Sequence, residues 1–100
     1  MALLVEDGRI EWTGRAADAP RAGKQIAVDD GELIAPGYVD LQVNGVGGID
    51  AACGRDAISA ISELLPSFGV TAYLPTAISR PLAEAHAFVE AAAEIGRAHV

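Results

Sequence analysis

The sequence has little cysteine, no long apolar run and few basic residues. Cys53 is the only cysteine in the 100 residues, which excludes an internal disulfide and a cysteine cluster for zinc. The chain has no apolar run of about 18 residues, the length that a membrane span needs. It also has no signal-peptide pattern, because Glu6 and Asp7 directly follow the short apolar start. We therefore expect a soluble, cytoplasmic protein.

The shortage of basic residues limits the classes of partner. Seven basic residues face 14 acidic ones, which gives a net charge of −7, and neither sign is concentrated in a stripe. Binding of nucleic acid or of an anionic membrane through a broad positive surface is therefore not expected. A small anionic substrate remains compatible with this charge, because a single arginine or one helix N-terminus can hold a phosphate.

The first third of the chain has the pattern of short β elements. Leu3–Val5 and Arg9–Trp12 alternate around an Asp-Gly turn, which predicts a hairpin. A further short strand is predicted at Gln25–Val28. We interpret residues 1–34 as a small β subdomain segment with no catalytic features.

The pattern changes after residue 34, where strand and helix signals alternate. The predicted elements are a buried strand Tyr38–Val43, a glycine-rich loop 45–54, a helix Asp56–Phe68, a strand Val70–Leu74 and a helix that begins near Pro81, with Leu82, Ala85, Phe88, Val89 and Ala92 on its buried face. This β-α-β-α order predicts an α/β fold with parallel strands. Two units cannot close a (β/α)₈ TIM-like barrel, which takes roughly 250 residues. We therefore interpret residues 35–94 as the first two β/α units of an incomplete barrel.

The end of the first predicted strand carries two side-chain amides. Gln42 and Asn44 are two residues apart, so in a regular strand they share a face with Asp40. They are either site residues or simply polar residues at a strand end. The glycines that follow suit an anion cradle or a tight turn, and the lack of a following GK[ST] favours the turn.

Two stretches within residues 31–80 resemble a known family. LIAPGYVDLQVNGVGGID and GVTAYLPTAIS are similar to the N-terminal part of the N-acetylglucosamine-6-phosphate deacetylases, in the amidohydrolase superfamily. In metal-dependent amidohydrolases the first barrel strand usually ends in His-x-His, whereas Gln42 and Asn44 hold those positions here. The Gln-x-Asn-Gly ending with its glycine loop is more specific to the deacetylase branch.

The resemblance implies a reaction and a site. The parent protein would hydrolyse the acetamide of N-acetylglucosamine 6-phosphate to glucosamine 6-phosphate and acetate, with a water activated by a divalent metal, zinc or iron. Gln42 and Asn44 would orient the metal-bound water or occupy a vestigial second metal position. Gly45 and Thr76 would lie at the pocket rim. The parent would be a cytoplasmic homodimer that acts on a small phosphosugar.

The resemblance also implies what this chain does not contain. The family's His-x-Glu-Gly-Pro stretch, later metal-binding histidines and catalytic aspartate lie beyond the matched stretch, so no catalytic residue and no direct metal ligand is assigned here. We expect the 100-residue chain to be inactive and to bind no metal. Residues 95–100, IGRAHV, equal the translation of one frame of a widely used sequencing adapter, whose next codon is a stop. We therefore expect an adapter-derived tail.

Two alternatives stay open at this point. The parent is another amidohydrolase, such as a dihydroorotase-like enzyme or an amino-acid deacetylase, although a direct His-x-His would favour these. Otherwise the chain is a small, non-catalytic α/β binding module that ends naturally at Val100.

Overall fold

The computed structural model describes the backbone of residues 1–98 and the side chains of residues 1–96. It is a mixed α/β structure with small sheets and two α-helices. The chain divides into two compact units, Met1–Ile34 and a second that begins at Ala35. The last two residues of the expected adapter-derived tail, His99 and Val100, lie outside the described residues.

The first unit contains a β-hairpin. Strands β1 (Ala2–Glu6) and β2 (Arg9–Gly14) pair in antiparallel register around Asp7 and Gly8. Both turn residues have positive φ, 49° and 74°, which is the requirement of the type I′ turn that matches strand twist. The predicted hairpin is confirmed, and each strand is slightly longer than predicted.

The strand predicted at Gln25–Val28 is wrong. These residues have no regular secondary structure, and Ile26 is exposed. A strand needs a neighbour for its backbone N–H and C=O groups. Within residues 1–34 the only strands are those of the hairpin, and they pair with each other. Local β propensity alone therefore does not produce a strand here.

The second unit has the predicted order of two strands and two helices. Strand β3 (Tyr38–Val43) is followed by two short strands, β4 (Gly45–Val46) and β5 (Ile49–Asp50). Helix α1 (Arg55–Leu64), strand β6 (Val70–Pro75) and helix α2 (Leu82–Ala98) complete it. Because β6 pairs with β3 in parallel, the predicted β-α-β arrangement is confirmed.

Helix α1 is followed by a 3₁₀ turn and a glycine cap. A single 3₁₀ turn, Leu65–Phe68, continues the helix with Pro66 near its start. Gly69 then takes the left-handed conformation, with φ 79°, and its N–H donates to the carbonyls of Leu65 and Pro66. This is the usual glycine cap of a helix C-terminus. It turns the chain directly into β6.

The core of the second unit is small and lies between α1 and the end of β3. Its buried members are Val43, Ala51, Ile61 and Leu65, with Val46, Ile49, Val70, Tyr73 and Phe88 packed around them. Strand β3 was expected to be buried along one face, which is wrong for its first part. Val39 is 65% exposed and Leu41 70% exposed, because the two helices cover only part of the two-stranded sheet.

Helix α2 also buries a narrower face than predicted. Leu82 is 74% exposed and Val89 is exposed as well, so neither belongs to the packed face. Phe88 is packed against the core, and Ile95 is buried two turns further along. Helix α2 packs against α1, and a contact between two helices buries only a narrow stripe of each. No helix in the described part of the chain is long and apolar enough to cross a membrane.

Candidate functional site

The candidate site is the edge where the parallel strands β3 and β6 end side by side. Val43 lies opposite Pro75 at the last paired position. The N–H of Thr76 then donates to the carbonyl of Val43 at 2.8 Å, so the pairing continues one residue past β6. Asn44 and Thr76, which follow the two strands, are therefore neighbours.

The side chain of Asn44 is directed at Thr76. Its Nδ2 donates to the Thr76 carbonyl oxygen at 3.1 Å, across 32 positions of sequence. The Asn44 carbonyl accepts from the N–H of Ala51 at 2.8 Å. Asn44 thus links β3 both to β6 and to the segment that leads into α1. Of the predicted site residues, the structure brings Asn44 and Thr76 together.

Gln42 lies on an irregular part of β3. The register shifts between Asp40 and Val43, where three residue steps lie opposite only two steps of β6, from Tyr73 to Pro75. An insertion of this kind is a β-bulge, and it interrupts strict alternation of side chains. The regular spacing that placed Asp40, Gln42 and Asn44 on one face does not hold through this segment.

The bulge gives Asp40 a local partner. Its Oδ1 accepts from the backbone N–H of Gln42 at 3.0 Å. The Gln42 side chain is exposed, and within the described part of the chain its carboxamide makes no hydrogen bond. Gln42 therefore has its full set of donors and acceptors free for a ligand.

The glycine-rich segment after Asn44 is a tight hairpin. Strands β4 and β5 pair through Gly47 and Gly48, whose φ values are 60° and 81°. Two consecutive positive φ values favour glycine at both places. A Cβ added at Gly45 would collide with the carbonyl oxygen of Ile49. The structure thus supports the tight-turn interpretation of these glycines.

The hairpin leads into α1 through a capped turn. The Oδ1 of Asp50 accepts from the N–H of Ala52 at 2.8 Å, at the start of the short 3₁₀ turn Ala51–Cys53. Ala51 is fully buried, which fixes this turn against the core. The segment between the candidate site and α1 is therefore held by the Asp50 carboxylate and by the burial of Ala51.

The described residues do not supply a metal centre. They include no group of three His, Cys, Asp or Glu side chains that could hold a metal ion. Cys53 is exposed and lines a pocket together with Arg80 and Phe88. His86 is exposed on α2.

A second feature was not predicted from the sequence. A cavity of about 340 Å³ lies between α1, β6 and α2, and its lining includes Ser62, Tyr73 and Ile95. Ser62 and Tyr73 are hydrogen-bonded to each other there. The only sequence signal was a serine on the apolar side of a helix and a tyrosine in the strand that follows.

Comparison with known proteins gives partial matches. No family model and no solved structure matches the chain. It is 51% identical over 39 residues to an imidazolonepropionase of Micrococcus luteus, covering 39% of this chain and 10% of that protein. It is 33% identical over 55 residues to the N-acetylglucosamine-6-phosphate deacetylase of Rattus norvegicus, covering 51% of this chain and 13% of that protein.

The deacetylase of Bos taurus gives a similar result, with 32% identity over 60 residues that cover 56% of this chain and 15% of the relative. The chain thus spans less than a sixth of the curated relatives it matches. Imidazolonepropionases and N-acetylglucosamine-6-phosphate deacetylases both belong to the amidohydrolase superfamily, so the distant homologues of this chain are hydrolytic amidohydrolases.

Proposed function

We propose that this chain is part of an enzyme that hydrolyses the acetamide of N-acetylglucosamine 6-phosphate to glucosamine 6-phosphate and acetate. The observation that carries the proposal is the Gln42-x-Asn44-Gly45 sequence at the end of a parallel strand, followed by the Gly47-Gly48 hairpin. The partial identity to deacetylases supports it. The proposed protein is cytoplasmic and dimeric, and its substrate is a small phosphosugar.

The chemistry of the two amides fits a water-orienting role. A carboxamide carries both hydrogen-bond donors and an acceptor, and it is a poor ligand for a transition metal. Gln42 has an exposed carboxamide, so it can hydrogen-bond a reacting water or a substrate hydroxyl. The rim of the proposed pocket includes Gly45 and Thr76.

The barrel is part of the same proposal. Parallel strands occur almost always in sheets that are covered on both faces. Here Val39, Leu41 and Leu74 are exposed apolar residues on the two parallel strands. Further β/α units of a (β/α)₈ barrel would bury them, and active sites in such barrels lie at the C-terminal ends of the strands. Asn44 and Thr76 follow the C-terminal ends of β3 and β6.

The proposed reaction uses a zinc or iron ion, which in such enzymes activates a water. The described residues do not fit such an ion, because they include no cluster of three suitable ligands. The ligands would come from other parts of the whole protein. No step of the reaction at the ion is therefore assigned to a residue of this chain.

One observation favours a second candidate. The identity to the imidazolonepropionase is higher than that to the deacetylases, although over fewer residues. The whole protein would then open an imidazolone ring by hydrolysis. The amide pair at positions 42 and 44 counts against this reading, because a His-x-His would be expected in most other amidohydrolases.

The test compares the two reactions directly. The protein expressed from the complete gene is assayed for acetate release from N-acetylglucosamine 6-phosphate and for hydrolysis of imidazolonepropionate, in the same buffer with zinc or iron supplied. We expect kcat/KM for acetate release to be higher by roughly a hundredfold or more, the range in which a dedicated site discriminates. A preference for imidazolonepropionate would replace the proposal with the second candidate.

A further inference from the structure

We propose that Asn44 is a positioning residue whose side-chain amide replaces a backbone–backbone hydrogen bond between the ends of β3 and β6. We further propose that the same hydrogen bond protects the Asn44–Gly45 sequence from deamidation. Neither statement depends on the enzyme's substrate.

The geometry of a parallel strand pair identifies the backbone hydrogen bond that is missing. In such a pair, a residue forms hydrogen bonds through its N–H and its C=O with two residues of the partner strand, the ones before and after the residue that lies opposite it. The N–H of Thr76 donates to the carbonyl of Val43. In a regular pair the carbonyl of Thr76 should therefore accept a hydrogen bond from the N–H of Gly45. The chain instead turns at Asn44, and Gly45 pairs with Asp50 in the β4–β5 hairpin.

The Asn44 carboxamide takes the place of that backbone hydrogen bond. Its Nδ2 lies 3.1 Å from the Thr76 carbonyl oxygen, within hydrogen-bond range. The side chain therefore lets β3 leave the sheet while the end of β6 stays tied to it. The arrangement also gives Thr76 bonds at both its N–H and its C=O.

This engagement limits what Asn44 can offer to a ligand, a consequence that rests on the proposed function. One of the two N–H groups of Nδ2 is engaged by Thr76, so Asn44 keeps one amide N–H and the acceptor Oδ1. Gln42 keeps both of its amide N–H groups and its acceptor. Asn44 would then offer a ligand one donor fewer than Gln42.

The chemistry of an Asn-Gly pair makes the protection measurable. The backbone nitrogen of Gly45 attacks Cγ of Asn44, a new C–N bond forms, and the Cγ–Nδ2 bond breaks. Nδ2 leaves as ammonia with the proton that Gly45 gives up. Water then opens the succinimide ring to aspartate or isoaspartate. Attack requires the carboxamide to rotate away from Thr76, while the Asn44 carbonyl is also held by Ala51.

The composition of the chain makes the test direct. Asn44 is the only asparagine, and Gln25 and Gln42 are the only glutamines. A nitrogen-15 spectrum therefore contains three side-chain amide pairs. In the 100-residue chain we expect hydrogen exchange of the hydrogen-bonded Asn44 side-chain N–H to be slower than that of the Gln42 side-chain N–H groups by roughly three- to tenfold, the factor that one net hydrogen bond provides. Equal exchange of the two side chains under native conditions overturns the proposal.

Deamidation gives a second readout on the same chain. The gain of about one mass unit is followed in native buffer and in urea at the same pH, and peptide mapping assigns it to Asn44. We expect the native chain to react more slowly by roughly three- to tenfold. Equal rates in both solvents contradict the protection.

A charged variant separates the hydrogen bond from simple packing. Asn44→Asp keeps the shape but has a donor only when its carboxyl is protonated, so the folded state raises the pKa of that carboxyl above the unfolded value near 3.9. Relative to the parent chain, the variant should be destabilised at neutral pH and should recover as the pH falls through the raised pKa. Gln42→Glu is the matched control and should show no such recovery.

Two outcomes keep this proposal distinct from the proposed function. Thr76→Val leaves the accepting carbonyl in place, so the exchange protection of Asn44 should persist in that variant. Identical pH profiles for Asn44→Asp and Gln42→Glu would overturn the positioning role. A complete protein that releases no acetate but keeps the protected Asn44 amide would refute only the proposed function.

Discussion

The Tyr73 hydroxyl lies 2.8 Å from the Oγ of Ser62, which joins strand β6 to helix α1. Both hydroxyls also reach the carbonyl oxygen of Ile58, at 3.0 Å from Tyr73 and 2.9 Å from Ser62. Two protons serve three contacts, so only two of the contacts can be hydrogen bonds at one time. The tyrosine is the member that crosses between elements, since Ser62 and Ile58 lie on the same helix.

Tyr73→Phe should lower the free energy of unfolding by about 0.5–1.5 kcal/mol, because it removes the hydrogen bond between β6 and α1 and keeps the ring. Ser62→Ala should cost less, because its bond to Ile58 lies within α1 and alanine favours the helix. Urea denaturation of the two variants and of the double variant measures both effects. A larger loss for Ser62→Ala would contradict this assignment.

Gly37→Ala should destabilise the second unit by about 1–3 kcal/mol, the usual cost of forcing atoms into an occupied space. A Cβ at Gly37 would collide with the side chain of Thr71, including its Cβ, and the short threonine side chain has little room to move. Gly23→Ala is the matched control, since nothing lies within 4 Å of a Cβ there. Equal unfolding free energies for the two variants would refute the close approach.

The ion pair between Arg55 and Glu94 should contribute little. Its Nη1 and Oε2 atoms are 3.3 Å apart, but the side chains are 62% and 59% exposed. Exposed pairs are typically worth under about 1 kcal/mol and are screened by salt. Arg55→Gln should therefore change the unfolding midpoint only slightly, and the change should vanish in about 1 M salt. A large loss that persists in salt would show that the pair has a structural role.

The 100-residue chain alone should release no acetate from N-acetylglucosamine 6-phosphate, with or without zinc or iron. Its described residues include no cluster of three ligands for the ion that the proposed reaction needs. The measurement is acetate release by the purified chain at high enzyme concentration. Metal-dependent turnover by this chain would show that the site is assembled from fewer residues than we propose.

Local signals were enough for the elements of the fold. The Asp7-Gly8 turn fixes the first hairpin, and Gly69 ends the helical segment because it adopts positive φ without steric cost. Alternation predicts Tyr38–Val43 as a strand, and the structure has the same bounds. For the hairpin turn and the Gly69 cap, the deciding interaction lies within a few residues of sequence.

Properties that depend on distant partners could not be predicted this way. The Gln25–Val28 segment has β propensity but no strand to pair with. The exposure of Val39 and Leu41 follows from how much of the sheet is covered, which a pattern of apolar residues cannot specify. The bond from Asn44 to Thr76 joins residues 32 positions apart and depends on where two strands end.

The most direct test of the deacetylase proposal is acetate release by the complete protein and by its Gln42→Leu variant. Leucine keeps the approximate size of Gln42 but removes its donors and its acceptor. We predict metal-dependent acetate release by the parent protein, and a kcat/KM in the variant that is lower by roughly three- to tenfold, the loss expected for one net hydrogen bond. Absence of acetate release by the parent protein, or full activity in Gln42→Leu, would contradict it.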